Sequence, residues 1–242
     1  MKKNFSPVLL AFLLLTTSLV LVLNISVTTK KGNNYIVTKI ELPLYLKLLG
    51  FFDRHFNYKL LIKQITGHLK TPEEKVFRLF QWTYKTIRPQ PKSLPIMDSH
   101  VWDVYTRGYG VSDNFHDLFS TLCNYSGVDA FFERLRFEDS RKYIDITFVR
   151  IGRGWVAFDP FNGAYFENRN GNWATIEEIR QGNWKLAKLP KSVIKESYYR
   201  PFIKLMPEVI SMGYRRANTQ SPFNRLKLQL HKYFSGQKPL LE

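Results

Sequence analysis

The sequence predicts an α+β fold in which a central helix packs on an antiparallel β-sheet, preceded by an N-terminal transmembrane helix. Three observations carry this prediction. Residues 5–27 form an almost unbroken apolar run. After the glycine-containing stretch at 107–110, apolar side chains recur at helical spacing, at Phe115, Leu118, Phe119 and Leu122. Residues 128–166 are rich in aromatic and β-branched residues, with Asn-Gly turn signals at 162–163 and 170–171.

The composition indicates one well-formed core and a strongly basic surface. The chain has 242 residues, of which 44% are hydrophobic and 23% charged, so a single domain-sized core is expected. The formal net charge of +16 attracts anionic partners such as lipid headgroups, acidic polysaccharides or nucleic acid. Nucleic acid is disfavoured because the sequence has no zinc-finger spacing, RNP-type strand or basic zipper. The single cysteine, Cys123, excludes an internal disulfide framework.

The N-terminal apolar run is interpreted as an uncleaved membrane anchor. Its length is close to the ~20 residues that span a bilayer as a helix, and no small-residue cleavage site follows it. Lysines flank both ends of the run, at Lys2, Lys3, Lys30 and Lys31. A very short basic tail before an anchor places the N-terminus in the cytoplasm. The expected location is therefore the cell (inner) membrane, single-pass, with the soluble domain on the extracytoplasmic side.

Composition and pattern divide the chain into four parts. These are a membrane anchor over residues 1–29, a membrane-proximal helical segment over 30–70, a folded domain over 71–184 and a basic, helical C-terminal extension over 185–242. Within the folded domain, Thr71 and Glu74 have the spacing of a capping box, which predicts that a helix begins there.

The last helix candidate, residues 223–234, is amphipathic. It places Leu226, Leu230, Tyr233 and Phe234 on one face, with basic residues elsewhere. Two interpretations stay open: a helix packed on the domain, or a helix that lies on an anionic membrane surface.

Two segments carry a family resemblance. Residues 107–130 read RGYGVSDNFHDLFSTLCNYSGVDA, a glycine-hinged turn that opens a helix, and residues 154–160 read GWVAFDP. In this order and spacing they resemble the transglutaminase-like (papain-related) superfamily, over about residues 71–171. The resemblance implies a transglutaminase-like/papain-like fold, with a nucleophile at the start of the central helix and an aspartate in the second segment.

The resemblance also assigns the site positions. The family cysteine falls on Ser112, the aspartate on Asp159, and the histidine on Tyr143, within one residue. A serine hydroxyl needs a positioned general base, and a tyrosine with a reference pKa near 10 is a poor one at neutral pH. The predicted site is therefore inactive, with Ser112, Tyr143 and Asp159 in the positions of the family triad.

One alternative, in which the site is catalytic, stays open. His116 lies four residues after Ser112 on the same helix, within side-chain reach, and is the alternative base together with Asp113, Asp117 or Asp159. A helix cap is a sufficient structural role for Ser112. Cys123, eleven residues along the helix, is expected to be a buried, inert thiol. The five histidines lack paired metal-ligand spacing, so neither a metal nor a cofactor is predicted.

The expected function is a membrane-anchored, non-catalytic protein with a transglutaminase-like domain. It would act as a binding or assembly subunit at the cell envelope, with anionic glycan or another envelope protein as its contact. Two alternatives remain: an atypical hydrolase or acyltransferase that uses Ser112 with His116, and a purely structural membrane-proximal module. Oligomeric state is not predicted.

Overall fold

The computed structural model describes residues 7–98, 100–138, 141–152, 154–208, 212–213 and 215–235. The helices are α1 (Pro7–Leu23), α2 (Leu44–Thr66), α3 (Pro72–Thr86), α4 (Val101–Arg107), α5 (Ser112–Tyr125), α6 (Ile176–Arg180) and α7 (Pro222–Phe234). The strands are β1 (Ser26–Asn33), β2 (Ile36–Pro43), β3 (Arg88–Pro89), β4 (Met97–Asp98), β5 (Tyr109–Gly110), β6 (Ala130–Arg136), β7 (Tyr143–Ile151), β8 (Gly154–Asp159), β9 (Ala164–Glu167) and β10 (Lys185–Lys188). Short 3-10 turns lie at Glu196–Tyr198, Arg200–Leu205 and Asn218–Gln220.

The predicted central helix on an antiparallel sheet is confirmed. Strands β6 to β10 form a five-stranded antiparallel sheet in the order β10-β9-β8-β7-β6. Helix α5 packs on this sheet, and helix α3 packs on α5. Aromatic side chains fill the layer between them: Phe80 lies 5.1 Å from Phe158 and 5.9 Å from Phe119, ring centroid to ring centroid. The chain therefore has a mixed α and β architecture whose middle element is α5.

The other face of the sheet is covered by the C-terminal part of the chain. Tyr199, between the first two 3-10 turns, and Phe202, in the second, are buried there in the same cluster as Phe166. Tyr199 packs edge-on against Phe166 with ring centroids 5.3 Å apart. Strand β10 adds to the sheet through pairing with β9. The predicted basic, helical extension over 185–242 is thus corrected at its start, where Lys185–Lys188 form a strand because Leu186 pairs with Phe166 at the sheet edge.

The expectation of a helical segment over residues 30–70 is also corrected. Residues 26–43 form an antiparallel hairpin, β1 with β2, and the helix begins only at Leu44. Thr28, Thr29 and other β-branched residues favour the extended conformation here. The hairpin turns at Asn34 and Tyr35, which both have positive φ, at 47° and 67°. That conformation matches a tight turn between right-twisted strands.

The start of α3 agrees with its sequence pattern. Thr71 accepts a hydrogen bond from the Glu74 backbone amide at 3.2 Å, and the Glu74 carboxylate accepts one from the Thr71 amide at 3.1 Å. This reciprocal capping box fixes where α3 begins, and Val76, Leu79 and Phe80 are then buried at helical spacing.

The N-terminal helix α1 is apolar throughout, and almost all of its side chains are exposed. Residues 1–6, with the predicted flanking Lys2 and Lys3, lie outside the described part of the chain. None of the helices in the described ranges is long and apolar enough to cross a membrane.

Candidate functional site

The glycine hinge before α5 sets where the central helix begins. Gly108 ends α4 with a left-handed φ of 74°, a conformation that favours glycine. A Cβ on Gly110 would lie 2.7 Å from the Cβ of Asn114, so only glycine fits against the first turn of α5. The Asn114 side-chain oxygen accepts hydrogen bonds from the Val111 amide at 3.2 Å and from Arg107 at 2.8 Å. Asn114 therefore stabilises the helix start.

Ser112 is the first residue of α5 and is half-buried. The residue in the N-cap position is Val111, so the capping role expected of Ser112 falls instead to the side chain of Asn114. Ser112 nevertheless occupies the helix N-terminus, where free backbone amides and the helix dipole favour negative charge.

His116 lies one turn further along α5 and is completely buried. Its Nδ1 atom is 2.9 Å from the hydroxyl oxygen of Thr147 on β7. Its Nε2 atom is 3.5 Å from Oδ1 of Asp159 at the end of β8, longer than an ordinary hydrogen bond and within ion-pair range. Both ring nitrogens thus face the sheet. Within the described residues, no hydrogen bond joins Ser112 to His116.

Asp159 is the centre of a buried polar cluster. Its carboxylate accepts hydrogen bonds from the backbone amide of Asn162 at 2.9 Å, from the Asn162 side chain at 2.7 Å and from the Tyr199 hydroxyl at 2.7 Å. Burial alone would raise the pKa of Asp159, but the His116 imidazole and the Asn162 donors outweigh it, and the pKa lies below its ordinary value. The carboxylate is therefore ionised and fully engaged.

These contacts define how the His116 ring is held. An ionised Asp159 favours a proton on Nε2, which faces it, and the Thr147 hydroxyl can then donate to Nδ1. The contact between Nδ1 and Thr147 joins α5 to β7, whereas Nε2 has no hydrogen-bond partner within the described residues and only approaches Asp159.

Tyr143, which the family resemblance assigned to the histidine position, is the first residue of β7. Its side chain is 43% exposed, and the guanidinium of Arg134 lies 4.2 Å from its ring centroid. Arg134 also binds Asp145, with Nε 2.7 Å from Oδ1 and Nη2 3.2 Å from Oδ2, and approaches Asp113 at 3.4 Å. Arg134 thus connects Tyr143 to the start of α5, and it is a cation that keeps its proton.

Two carboxylates on the first turns of α5 have raised pKa values. Burial and the neighbouring Asp145 raise the pKa of Asp113, against the opposing charges of Arg134 and Arg216. Burial raises the pKa of Asp117 to about 6, although the Nε atom of Arg216 lies 2.8 Å from its Oδ2 atom. The start of α5 is therefore surrounded by an acidic cluster that arginines neutralise in part.

The sequence-predicted site residues therefore fall into two groups. The structure brings His116 and Asp159 together in the core, and places Tyr143 with Arg134 at the edge of the sheet. Ser112 has no hydrogen bond to either group within the described residues.

Sequence reasoning missed several partners in this region. Thr147, Asp145 and Arg134 could have been found from the sequence, because they are polar residues within predicted strands. A polar side chain that a strand buries needs a hydrogen-bond partner. Tyr199 and Arg216 could not have been found in this way, since they come from the far end of the chain. Cys123 is fully buried, and burial raises the pKa of its thiol well above the ordinary value.

No three His, Cys, Asp or Glu side chains converge as a metal site within the described ranges. A cavity of about 310 Å³ lies beside the hinge, and its lining includes Arg88, Arg107 and Tyr109.

Comparison with known proteins gives a match to one family model and a similarity to a solved structure. Residues 59–160 match the family model of the transglutaminase-like superfamily. A crystal structure described as a "Putative Cysteine Protease" from Cytophaga hutchinsonii is 22% identical, with a TM-score of 0.37. The match covers 43% of this chain and 37% of that chain, so this chain spans well under half of its length. No curated protein matches the sequence.

Proposed function

Since residues 59–160 match the transglutaminase-like superfamily model, we propose that this protein is a non-catalytic binding or assembly subunit at the cell envelope with a transglutaminase-like domain. Its N-terminal segment, residues 1–29, anchors it in the cell membrane, and the folded domain lies on the extracytoplasmic side. The domain keeps the family frame without a working nucleophile and base.

The observation that carries this proposal is the position of His116. General-base catalysis requires a base within hydrogen-bond reach of the proton it removes. The nitrogens of His116 face Thr147 and Asp159, and the ring has no exposed surface from which to serve a substrate. This geometry disfavours the alternative in which Ser112 and His116 act as nucleophile and base.

The environment of Tyr143 supports the same proposal. The group nearest its ring is the guanidinium of Arg134, which is already bound to Asp145. Neither a phenol nor a guanidinium accepts a proton readily at neutral pH. Tyr143 is therefore a poor base for Ser112, and the nearby carboxylate of Asp145 on β7 is engaged by Arg134.

The charge distribution supports an anionic partner. The chain has a formal net charge of +16, and two arginines line the cavity beside the hinge. Arg107 already binds the Tyr109 carbonyl and the Asn114 side chain, so Arg88 is the more available cation there. Anionic glycan or an acidic face of an envelope protein matches this surface.

The anchor assignment rests on the N-terminal sequence. Helix α1 has no charged residue and exposes its apolar side chains, and Lys30 and Lys31 follow it. Extraction of native membranes at alkaline pH tests the anchor: the full-length chain is expected to stay in the membrane pellet. Release into the supernatant would contradict it.

Chemical probes test the lack of catalysis. The full-length protein is treated with a serine-reactive fluorophosphonate and with a thiol-directed protease probe, beside a matched Ser112→Ala variant. We expect no labelling that depends on Ser112. Labelling of the native chain that disappears in Ser112→Ala, with the fold intact, would establish an active serine and overturn the proposal.

A further inference from the structure

Helices α2 and α7 each carry an exposed apolar stripe. Positions three and four residues apart lie on one face of a helix, and such a face is normally buried. Here the residues stay exposed: Leu49 and Phe56 on α2 are both 62% exposed, and Phe223 and Tyr233 on α7 are 64% and 79% exposed. The α2 stripe consists of Tyr45, Leu49, Phe52, Phe56 and Leu60, and the α7 stripe of Phe223, Leu226, Leu230 and Tyr233.

The two stripes belong to neighbouring helices. Helix α7 packs against α2, and α1 also contacts α2. Burial, followed by the charge of Arg225 on α7, lowers the pKa of Lys47 on α2, as expected when the two helices place these cations near each other. We call the two stripes together the α2–α7 surface. Helix α2 thus lies between the apolar helix α1 and helix α7 in the set of contacts.

The charges around the α2–α7 surface are mostly positive. Helix α7 contains no Asp or Glu, and its basic residues include Lys227, whose ammonium lies 4.6 Å from the centroid of the Phe223 ring. Helix α2 contains Lys47, Arg54, Lys59 and Lys63 against a single acidic residue, Asp53. Apolar side chains flanked by Lys and Arg are the composition of helices that lie in the headgroup region of anionic bilayers.

We infer that the α2–α7 surface lies on an anionic lipid bilayer, with the apolar stripes at the boundary between headgroups and acyl chains. The flanking lysines extend toward the phosphates while their methylene stems cover apolar surface. This inference rests on the membrane attachment in the proposed function and adds a second contact. That contact fixes the orientation of the domain on the membrane, which attachment through the N-terminal segment alone does not.

The test places a spin label on the surface in the full-length protein. The chain is reconstituted into nanodiscs, either with phosphatidylglycerol or with phosphatidylcholine alone. Leu226→Cys puts the label in the α7 stripe, and Val193→Cys, an 89% exposed position on neither helix, is the matched control. The native Cys123 is fully buried, and the unmodified chain serves as the blank for its labelling. The measurement is accessibility to dissolved oxygen compared with a water-soluble nickel complex.

The inference predicts a clear difference between the two positions. In phosphatidylglycerol discs the label at 226 is several-fold more accessible to oxygen than to nickel, relative to the label at 193. The difference shrinks at high salt and in phosphatidylcholine discs, because screening weakens the attraction between lysines and headgroups. Lys227→Glu reduces it as well, while Arg169→Glu, the same charge reversal at an exposed residue on neither helix, leaves it unchanged.

Other outcomes overturn the inference and are distinguishable. If the chain is in the disc but residue 226 is as accessible to nickel as residue 193, the anchor holds and the second contact does not exist. If the spectrum of the label at residue 226 shows dipolar broadening from a second label, the α7 stripe is buried between two copies of the chain. If the chain does not associate with discs at all, the membrane attachment of the proposed function fails with it.

Discussion

The Nε2 atom of His116 lies 3.5 Å from Oδ1 of Asp159, and both side chains are buried between the central helix and the sheet. The family triad has its histidine on a strand and its aspartate beside it. Here an imidazole from the helix itself approaches Asp159, the residue that the family resemblance assigned to the aspartate position. A group that catalysis would need at the surface is therefore part of the core.

Removing His116 is expected to destabilise the fold. His116→Ala leaves a cavity and deprives the buried Asp159 carboxylate of one partner, so the free energy of unfolding should fall by about 3 kcal/mol. His68→Ala, at an exposed histidine, is the matched control and should change it by less than about 0.5 kcal/mol. Urea denaturation of both variants measures the difference. Equal stabilities would mean that the His116–Asp159 contact contributes nothing.

Asp117 should make stability depend on pH. Its pKa is raised from 3.8 to about 6 by burial, so the folded state binds this proton more tightly than the unfolded state. The free energy of unfolding should therefore fall, by about 3 kcal/mol, as the pH rises from about 4 to about 6.

Asp117→Asn tests this dependence. The variant removes the proton-binding group, so this part of the slope should disappear and the protein should gain stability at neutral pH. Asp129→Asn, at an exposed carboxylate, is the control. Denaturation curves at several pH values give the slope. An unchanged slope in Asp117→Asn would show that other groups cause the dependence.

Arg134 is expected to hold the edge of the site together. Arg134→Ala leaves the fully buried side chain of Asp145 without its cation, and should lower the free energy of unfolding by about 2 kcal/mol. Arg136→Ala, an exposed arginine on the same strand, should cost less than about 0.5 kcal/mol. A loss of the same size in both variants would assign the effect to general surface charge.

Cys123 should react only when the protein unfolds. Its thiol has no exposed surface, and burial raises its pKa, so the reactive thiolate is scarce. The rate of reaction with a thiol reagent should therefore follow the fraction of unfolded protein in urea. Rapid reaction of the folded chain would contradict the packing of α5.

The sequence predicted those features that local pattern controls. The capping box at Thr71 and Glu74 located the start of α3, and the hinge with its apolar helix located α5. It also singled out Asp159 as a candidate site residue, and this carboxylate accepts a hydrogen bond from the backbone amide of Asn162.

Contacts between distant segments were not predictable in the same way. The hydroxyl of Tyr199 reaches Asp159 from forty residues further along the chain. The direction of the His116 ring depends on which strand residue faces it, and helical spacing alone placed it only near Ser112. The β1–β2 hairpin was missed because a lysine-rich sequence obscured its β-branched pattern.

Hydrogen exchange at the C2 position of the histidine rings tests the central claim most directly, because it reports how accessible each imidazole is. The full-length protein is incubated in deuterated buffer and each histidine is followed by mass spectrometry, with the exposed His68 as internal reference. We predict that His116 exchanges far more slowly than His68, at the same rate in Ser112→Ala as in the native chain. Exchange of His116 at the rate of His68 would show an accessible imidazole and contradict its assignment to the core.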